Sequence, residues 1–180
     1  MTNLFATGSS QGIEEVLNNR DQRVAFQENL VSKFPKDAIV AVKLNIPGPI
    51  KNNEMIRHLF ELGLNSFLKF LKSKNVLIKL QANWNKETGN EAFFTSETEP
   101  VEMKKCVVDF EDNDPLGRLF DIDVMGKGKA SSISRVILGL PVRKCFICNR
   151  PAKECARSRR HSVADLQQKI NQVYQAEVKN

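Results

Sequence analysis

The sequence predicts an α+β protein: a two-layer, ferredoxin-like βαββαβ core, preceded by a helix and followed by a Cys-rich basic segment and another helix. Three observations predict it. Runs with strand and helix character follow one another in the order strand, helix, strand, strand, helix, strand, the order of that fold. Two of the helical runs carry apolar stripes, and a Lys86–Asn90 turn joins two strand-like runs into a hairpin. A chain of 180 residues with 41% hydrophobic content can bury one core. A single domain over 1–180 is therefore expected, with an N-terminal helix in 1–35, an α/β core in 36–140 and a Cys/Arg-rich segment with the last helix in 141–180.

Each element has a local reason. Ser9-Ser10 can cap a helix running to about Lys33, with Glu14 and Glu15 in its first turn and Pro35 ending it. Ile13, Val16, Leu17, Val24, Phe26, Leu30 and Val31 partly fit its stripe. Ala38–Ile46 is β-rich and reads as a buried strand, broken by Pro47-Gly48-Pro49. From about Asn53 to Lys72, Ile56, Leu59, Phe60, Leu64, Phe67, Leu68 and Leu71 share one helical face. Val76 to about Asn85 and Glu91–Ser96 are the hairpin strands. After Pro100, Met103, Cys106, Val107 and Phe110 favour helix, while Val108 leans to strand. The Asp114–Gly117 turn then delivers the chain into an apolar strand ending near Met125. Gly126–Lys129 is a turn, Ile133–Leu138 an expected edge strand, and Ser162–Val178 the last helix.

Asp121-Ile122-Asp123 interrupts that apolar strand. Alternate strand residues share a face, so both carboxylates point the same way. Like charges so placed repel, unless a divalent cation joins them, and Mg²⁺ is commonly held by one or two carboxylates plus substrate phosphates. Metal-assisted phosphoryl or nucleotidyl transfer is the expected chemistry, with Mg²⁺ or Mn²⁺. The plainer alternative is the solvated face of an edge strand. Arg118 stands at the start of the strand, where its fork can hold a phosphate. Asp109, Glu111 and Asp112 are candidates for a third acid, and spacing selects none of them.

The net charge of +6 is local. Arg143, Lys144, Arg150, Lys153, Arg157, Arg159 and Arg160 face only Glu154 within 143–160, a surplus equal to the whole net charge. Such a patch suits phosphates, nucleic acid or an acidic protein, or is simply a solvated surface. The same segment holds Cys145-x₂-Cys148-x₆-Cys155-x₅-His161. Cys-x₂-Cys commonly opens a zinc site, and a further Cys and His would complete a Cys₃His set for structural Zn²⁺. Reduced cysteines packed as small apolar residues, or a site that uses the Arg and His groups for phosphate, are the alternatives. Further phosphate candidates are Gly48 and Lys51, in a Pro-Gly-Pro turn before a helix N-terminus, and Arg20 and Arg23 on the first helix. There is no run of about 18 apolar residues for a membrane span. Without a signal-peptide layout at the N-terminus, a cytoplasmic location with reduced cysteines is expected.

Taken together, Pro47–Lys51 with Pro115–Val124 and the stretch from Arg143 through the cysteines to His161 resemble the apo-citrate lyase phosphoribosyl-dephospho-CoA transferase (holo-citrate lyase acyl-carrier-protein synthase) family. The likeness runs from about Ile13 to Leu166 and takes in Arg20-Asp21-x-Arg23. Asp114 departs from the pattern, which has His before Pro-Leu-Gly-Arg. The resemblance implies transfer of the prosthetic group of 2′-(5″-triphosphoribosyl)-3′-dephospho-CoA to a serine of the citrate lyase acyl carrier (γ) subunit, with release of pyrophosphate. In that reading Asp121 and Asp123 hold Mg²⁺, and Arg118 and Lys51 clamp the triphosphate. Gly48, Arg20, Arg23, Arg143, Arg157 and Arg160 bind the donor or the carrier, and neither nucleic acid nor membrane is a partner. Two rivals remain at this point: a pyrophosphokinase of a small heterocycle, and a zinc-stapled RNA-binding module. The latter has only Phe146 for base stacking in the basic segment.

Overall fold

The computed structural model describes residues 3–126 and 128–178. Its elements are α1 (Ile13–Lys33), β1 (Ala38–Leu44), α2 (Glu54–Ser73), β2 (Lys79–Lys86), β3 (Gly89–Ser96), α3 (Pro100–Asn113), a 3₁₀ turn (Gly117–Leu119), β4 (Phe120–Met125), α4 (Ala152–Arg157) and α5 (Val163–Val178). The four strands form one antiparallel sheet in the order β2-β3-β1-β4.

Period-two alternation divides the sheet into two faces. Val40 and Val42 of β1, Phe94 of β3, and Phe120, Ile122 and Val124 of β4 pack against α2 and α3 through Leu59, Phe60, Phe67, Met103, Val107 and Phe110. On the opposite face Ile39, Ala41, Phe93 and Met125 meet Leu30 and Val31 of α1. The two-layer expectation is thus corrected: α1 adds a third layer, because β1 and β3 are apolar on both faces. Of the apolar residues of α1 only Leu30 and Val31 are buried, while Asn19 and Gln27 are buried as polar residues. Ile13 is 81% exposed and Leu17 47%, so the partial stripe read from the sequence is buried only at its C-terminal end.

Local chemistry sets the boundaries. The Asn53 side chain accepts a hydrogen bond from the Ile56 amide at 2.8 Å and caps α2. Pro100 occupies the first turn of α3, where its missing N–H costs nothing. The expected serine cap of α1 is not used; the helix begins behind Gly12, which makes no side-chain cap.

β4 lies at the sheet edge, and α3 closes it. Glu111 Oε1 accepts from the Ile122 amide at 3.0 Å, and Lys104 Nζ donates to the Ile122 carbonyl at 3.0 Å. These side chains occupy the backbone groups that another strand would pair with. The strand expected over Ile133–Leu138 accordingly does not form. The Ile133 amide donates to Val124 O at 2.8 Å, and the chain then turns away, with Val136 and Ile137 exposed.

Candidate active site

Asp121 and Asp123 share the sheet face that α1 only partly covers. Across the ladder Asp121 is opposite Lys43 and Asp123 opposite Ala41. The Lys43 ammonium is bonded to the Asp121 carboxylate, and Arg143 Nη1 lies 3.7 Å from its other oxygen. Burial works against the ionised form of Asp121. The Lys43 charge and hydrogen bond, with Arg143 and Lys104, outweigh it and hold the carboxyl below the usual carboxylate range. The Asp121 side chain is still 44% exposed, so it remains open to a ligand.

Two clefts flank this position. The larger, of about 450 Å³, is lined by Asn45, Arg118, Arg143, Lys144, Arg159 and His161, among others. The smaller, of about 230 Å³, includes Arg20, Arg23, Lys43, Asn45 and Lys51. Asn45 lines both. Asp121 is paired to one cation from each: Lys43 from the smaller cleft and Arg143 from the larger. The structure therefore links Asp121 through Lys43 to the cleft that holds Arg20, Arg23 and Lys51, and through Arg143 to the cleft that holds Arg118, while neither Asp121 nor Asp123 itself lines either cleft.

The cations are held firmly. Arg143 donates to the Phe120 carbonyl at 2.6 Å and to the Arg118 carbonyl at 2.8 Å, and its Nη1 lies 3.7 Å from Glu111. Arg118 donates to the Lys144 carbonyl and approaches Asp112 at 3.7 Å. Burial, and then the neighbouring Arg143, draw its pKa down. Arg23 pairs with buried Glu91 at 3.1 Å. Lys51 donates to the Ile46 carbonyl at 2.7 Å, and burial lowers its pKa. Lys51 thus braces the loop after β1 as well as facing the cleft.

Other residues read from the sequence stand elsewhere. Gly48 has φ +87°, and an added Cβ would lie 2.7 Å from Gln167 Nε2, so its glycine is needed to seat the loop on α5. Arg157 and Arg160 are exposed; Arg159, between them, lines the larger cleft. Its φ of +46° turns the chain back after α4, a conformation that side-chain pattern does not announce. Lys43 was also missed: inside a β-rich run it reads as an ordinary outward residue, and only the register places it on Asp121. The candidates for a third acid are already engaged. Glu111 and Asp112 pair with Arg135 at 2.5 and 2.9 Å, and Asp109 with Lys74 at 3.2 Å. Asp114 accepts from Ser66 at 2.6 Å and from the Leu116 amide at 2.8 Å, a turn-forming role.

Beside the larger cleft, Cys145, Cys148, Cys155 and His161 converge, with one ligand atom from each lying within 4.8 Å of the others. This Cys₃His cluster can hold a metal ion such as zinc.

Residues 11–177 match the family described as apo-citrate lyase phosphoribosyl-dephospho-CoA transferase. The chain is 34% identical over 161 residues to the protein of that name from Citrobacter koseri, covering 89% of this chain and 87% of the relative. It is 31% identical to a probable apo-citrate lyase phosphoribosyl-dephospho-CoA transferase of Streptococcus pyogenes, covering 94% of this chain and 88% of that one. Protein CitXG of Leuconostoc mesenteroides subsp. cremoris is 34% identical over 94% of this chain, but the chain spans only 36% of that longer protein. With the family match covering nearly the whole chain and a relative aligned over most of both lengths, this chain belongs to the apo-citrate lyase phosphoribosyl-dephospho-CoA transferase family, a family of transferases.

Proposed function

We propose that this chain is a nucleotidyltransferase that moves the 2′-(5″-triphosphoribosyl)-3′-dephospho-CoA prosthetic group to a serine of the citrate lyase acyl carrier subunit and releases pyrophosphate. The observation that carries the reading is Asp121, paired with one cation from each of two basic clefts. A long donor with phosphates at its reacting end and a coenzyme arm behind needs two cationic grooves that meet at the reaction centre. The partners in this reading are the donor and the carrier subunit, with no role for nucleic acid or membrane. Among the described residues no helix is long and apolar enough to cross a membrane. The setting is the cytoplasm, and the chain acts as one domain. The strand order β2-β3-β1-β4 supports a ferredoxin-like core under this site.

The carrier serine oxygen bonds to the α-phosphorus as the bond from that phosphorus to pyrophosphate breaks, and the hydroxyl proton is released to solvent. Arg118, Arg143 and Lys43 neutralise charge on the phosphates, with Arg20, Arg23 and Lys51 along the smaller cleft. Positioning and electrostatics supply most of the rate in such transfers. Asp121 and Asp123 are carboxylates on one strand face, and a hard dication at Asp121 would take the place of the Lys43 ammonium now bonded to it. Mg²⁺ or Mn²⁺ held there with the donor's phosphates would neutralise the leaving pyrophosphate and the α-phosphate.

Incubating the chain with apo-carrier subunit and triphosphoribosyl donor, followed by intact-mass measurement, tests the proposal. The carrier should gain the mass of the phosphoribosyl-dephospho-CoA group. Asp121→Asn and Asp123→Asn should each lower kcat at least about 100-fold with the fold intact. An unmodified carrier would refute the assignment. Full activity in either variant would remove the carboxylate role.

A further inference from the structure

We propose that Cys145, Cys148, Cys155 and His161 bind one Zn²⁺ as a closed structural site, and that this ion holds the wall of the larger cleft in place. The geometry of the ligand atoms comes first. Cys148 Sγ lies 3.5 Å from Cys155 Sγ, and His161 Nε2 lies 3.4 Å from Cys148 Sγ. A tetrahedral zinc with Zn–S about 2.3 Å and Zn–N about 2.0 Å requires S–S edges of about 3.8 Å and S–N edges of about 3.5 Å. These two edges are within a few tenths of an ångström of those values, and all four ligand atoms lie within 4.8 Å of one another. Four protein ligands fill the coordination sphere, which is the pattern of a structural ion and leaves no open position for substrate.

The backbone is arranged to present these atoms. The Cys145 amide donates to Arg150 O at 2.7 Å, and the Ala152 amide to Arg143 O at 2.8 Å. These bonds close a tight turn that carries Cys145 and Cys148. Pro151 then starts α4, which delivers Cys155 from its interior, and the turn at Arg159 returns His161 to the same point. The segment has little else to hold it. Of residues 141–162 only Cys155 is buried, and Phe146 is partly buried against the main core. α4 is six residues long, too short to persist by its own hydrogen bonds. An ion that ties four points of a segment with so small a core contributes its binding free energy directly to the order of that segment. Three thiolates would leave the zinc site with net negative charge, and the seven basic side chains of 143–160 offset it.

The consequence reaches the reaction site. Cys145, Cys155 and His161 line the larger cleft with Arg118, Arg143 and Arg159. Arg143 precedes the first ligand by two residues and bridges to Asp121. Zinc loss should therefore loosen the Arg143 and Arg159 side of the cleft while leaving the sheet and α1–α3 folded. The metal proposal itself does not depend on the transferase reading.

The test is metal content of the reduced, full-length chain after dialysis. One zinc per chain is expected, together with the tetrahedral thiolate absorption of Co²⁺ when cobalt replaces it. The Cys148→Ser/Cys155→Ser double variant should lose the ion and keep its circular dichroism nearly unchanged. His161→Cys should keep the ion, as should Cys106→Ser, whose thiol lies on α3. A metal-free wild-type chain that gives no Co²⁺ spectrum would overturn the proposal. So would a Cys148–Cys155 disulfide in the freshly isolated protein, or zinc retained at full stoichiometry by the double variant. Metal content and spectrum are read without any transfer assay, so a failure here and a failure of the transferase reading are separable.

Discussion

Glu111 is the buried acid on which the closed edge of the sheet depends, and its removal provides a quantitative test of the architecture. It is 3% exposed, accepts the Ile122 amide at 3.0 Å with one oxygen, and binds Arg135 at 2.5 Å with the other. Glu111→Ala strands two groups at once. The Ile122 amide loses its acceptor, at a cost of about 1–3 kcal/mol for a buried donor left unpaired. The Arg135 guanidinium, only 10% exposed, loses its buried partner, a loss that reaches about 3–5 kcal/mol where no other acid remains. Here Asp112 still pairs with Arg135 at 2.9 Å and is itself 34% exposed, so the second cost falls well below that range. Together these losses should destabilise the chain by about 3 kcal/mol. For a chain of this length that is a fall in Tm of about 6–12 °C. Asp112→Ala removes only the outer member of the network and should cost less than about 1 kcal/mol. Glu111→Gln keeps an acceptor for Ile122 and should fall between the two. Urea unfolding with calorimetry measures all three. If Glu111→Ala costs no more than Asp112→Ala, the reasoning that β4 is closed by this carboxylate is wrong.

Two further outcomes follow from the same geometry. Gly117 sits with the Phe110 carbonyl oxygen only 2.1 Å from where a Cβ would be, so Gly117→Ala must push α3 and the 3₁₀ turn apart. It should cost about 1–3 kcal/mol and lower kcat by displacing Arg118 and the start of β4; wild-type Tm and kcat together would refute the packing argument. Arg159→Ala should raise the donor KM with an effect that shrinks at high salt, while exposed Arg157→Ala should change it far less; steady-state kinetics at two salt concentrations decides, and equal effects would deny Arg159 its place in the cleft.

Much of this site was legible in the chain itself, and the exceptions have physical causes. The Asp121/Asp123 row followed from strand periodicity, because alternation leaves no choice of face once Phe120, Ile122 and Val124 are core. α2 was legible because its apolar stripe and Asn53 cap agree, and α3 because Pro100 and its apolar spacing agree. The Cys₃His set could be read from spacing because the turn that closes it is local. The strand over Ile133–Leu138 was misread because nothing within that stretch reveals that Glu111 and Lys104, more than ten residues earlier, already satisfy the edge of β4. The stripe of α1 was legible only in part, because apolar spacing cannot say how far along the helix the sheet extends.

Taken alone, the sequence determined the order of the core elements, the acid pair, the basic cluster and the family likeness, since each depends on residues near one another in the chain. Only the tertiary structure decided which cations meet the acids. Lys43 reaches Asp121 through the antiparallel register of β1 with β4, Arg143 reaches it across the edge that Glu111 guards, and Arg159 rather than its neighbours lines the cleft because of a single backbone reversal. Long-range register and one left-handed residue leave no periodic trace in a sequence. Contacts made by residues distant in the chain are settled by packing and by the pairing of charge out of water.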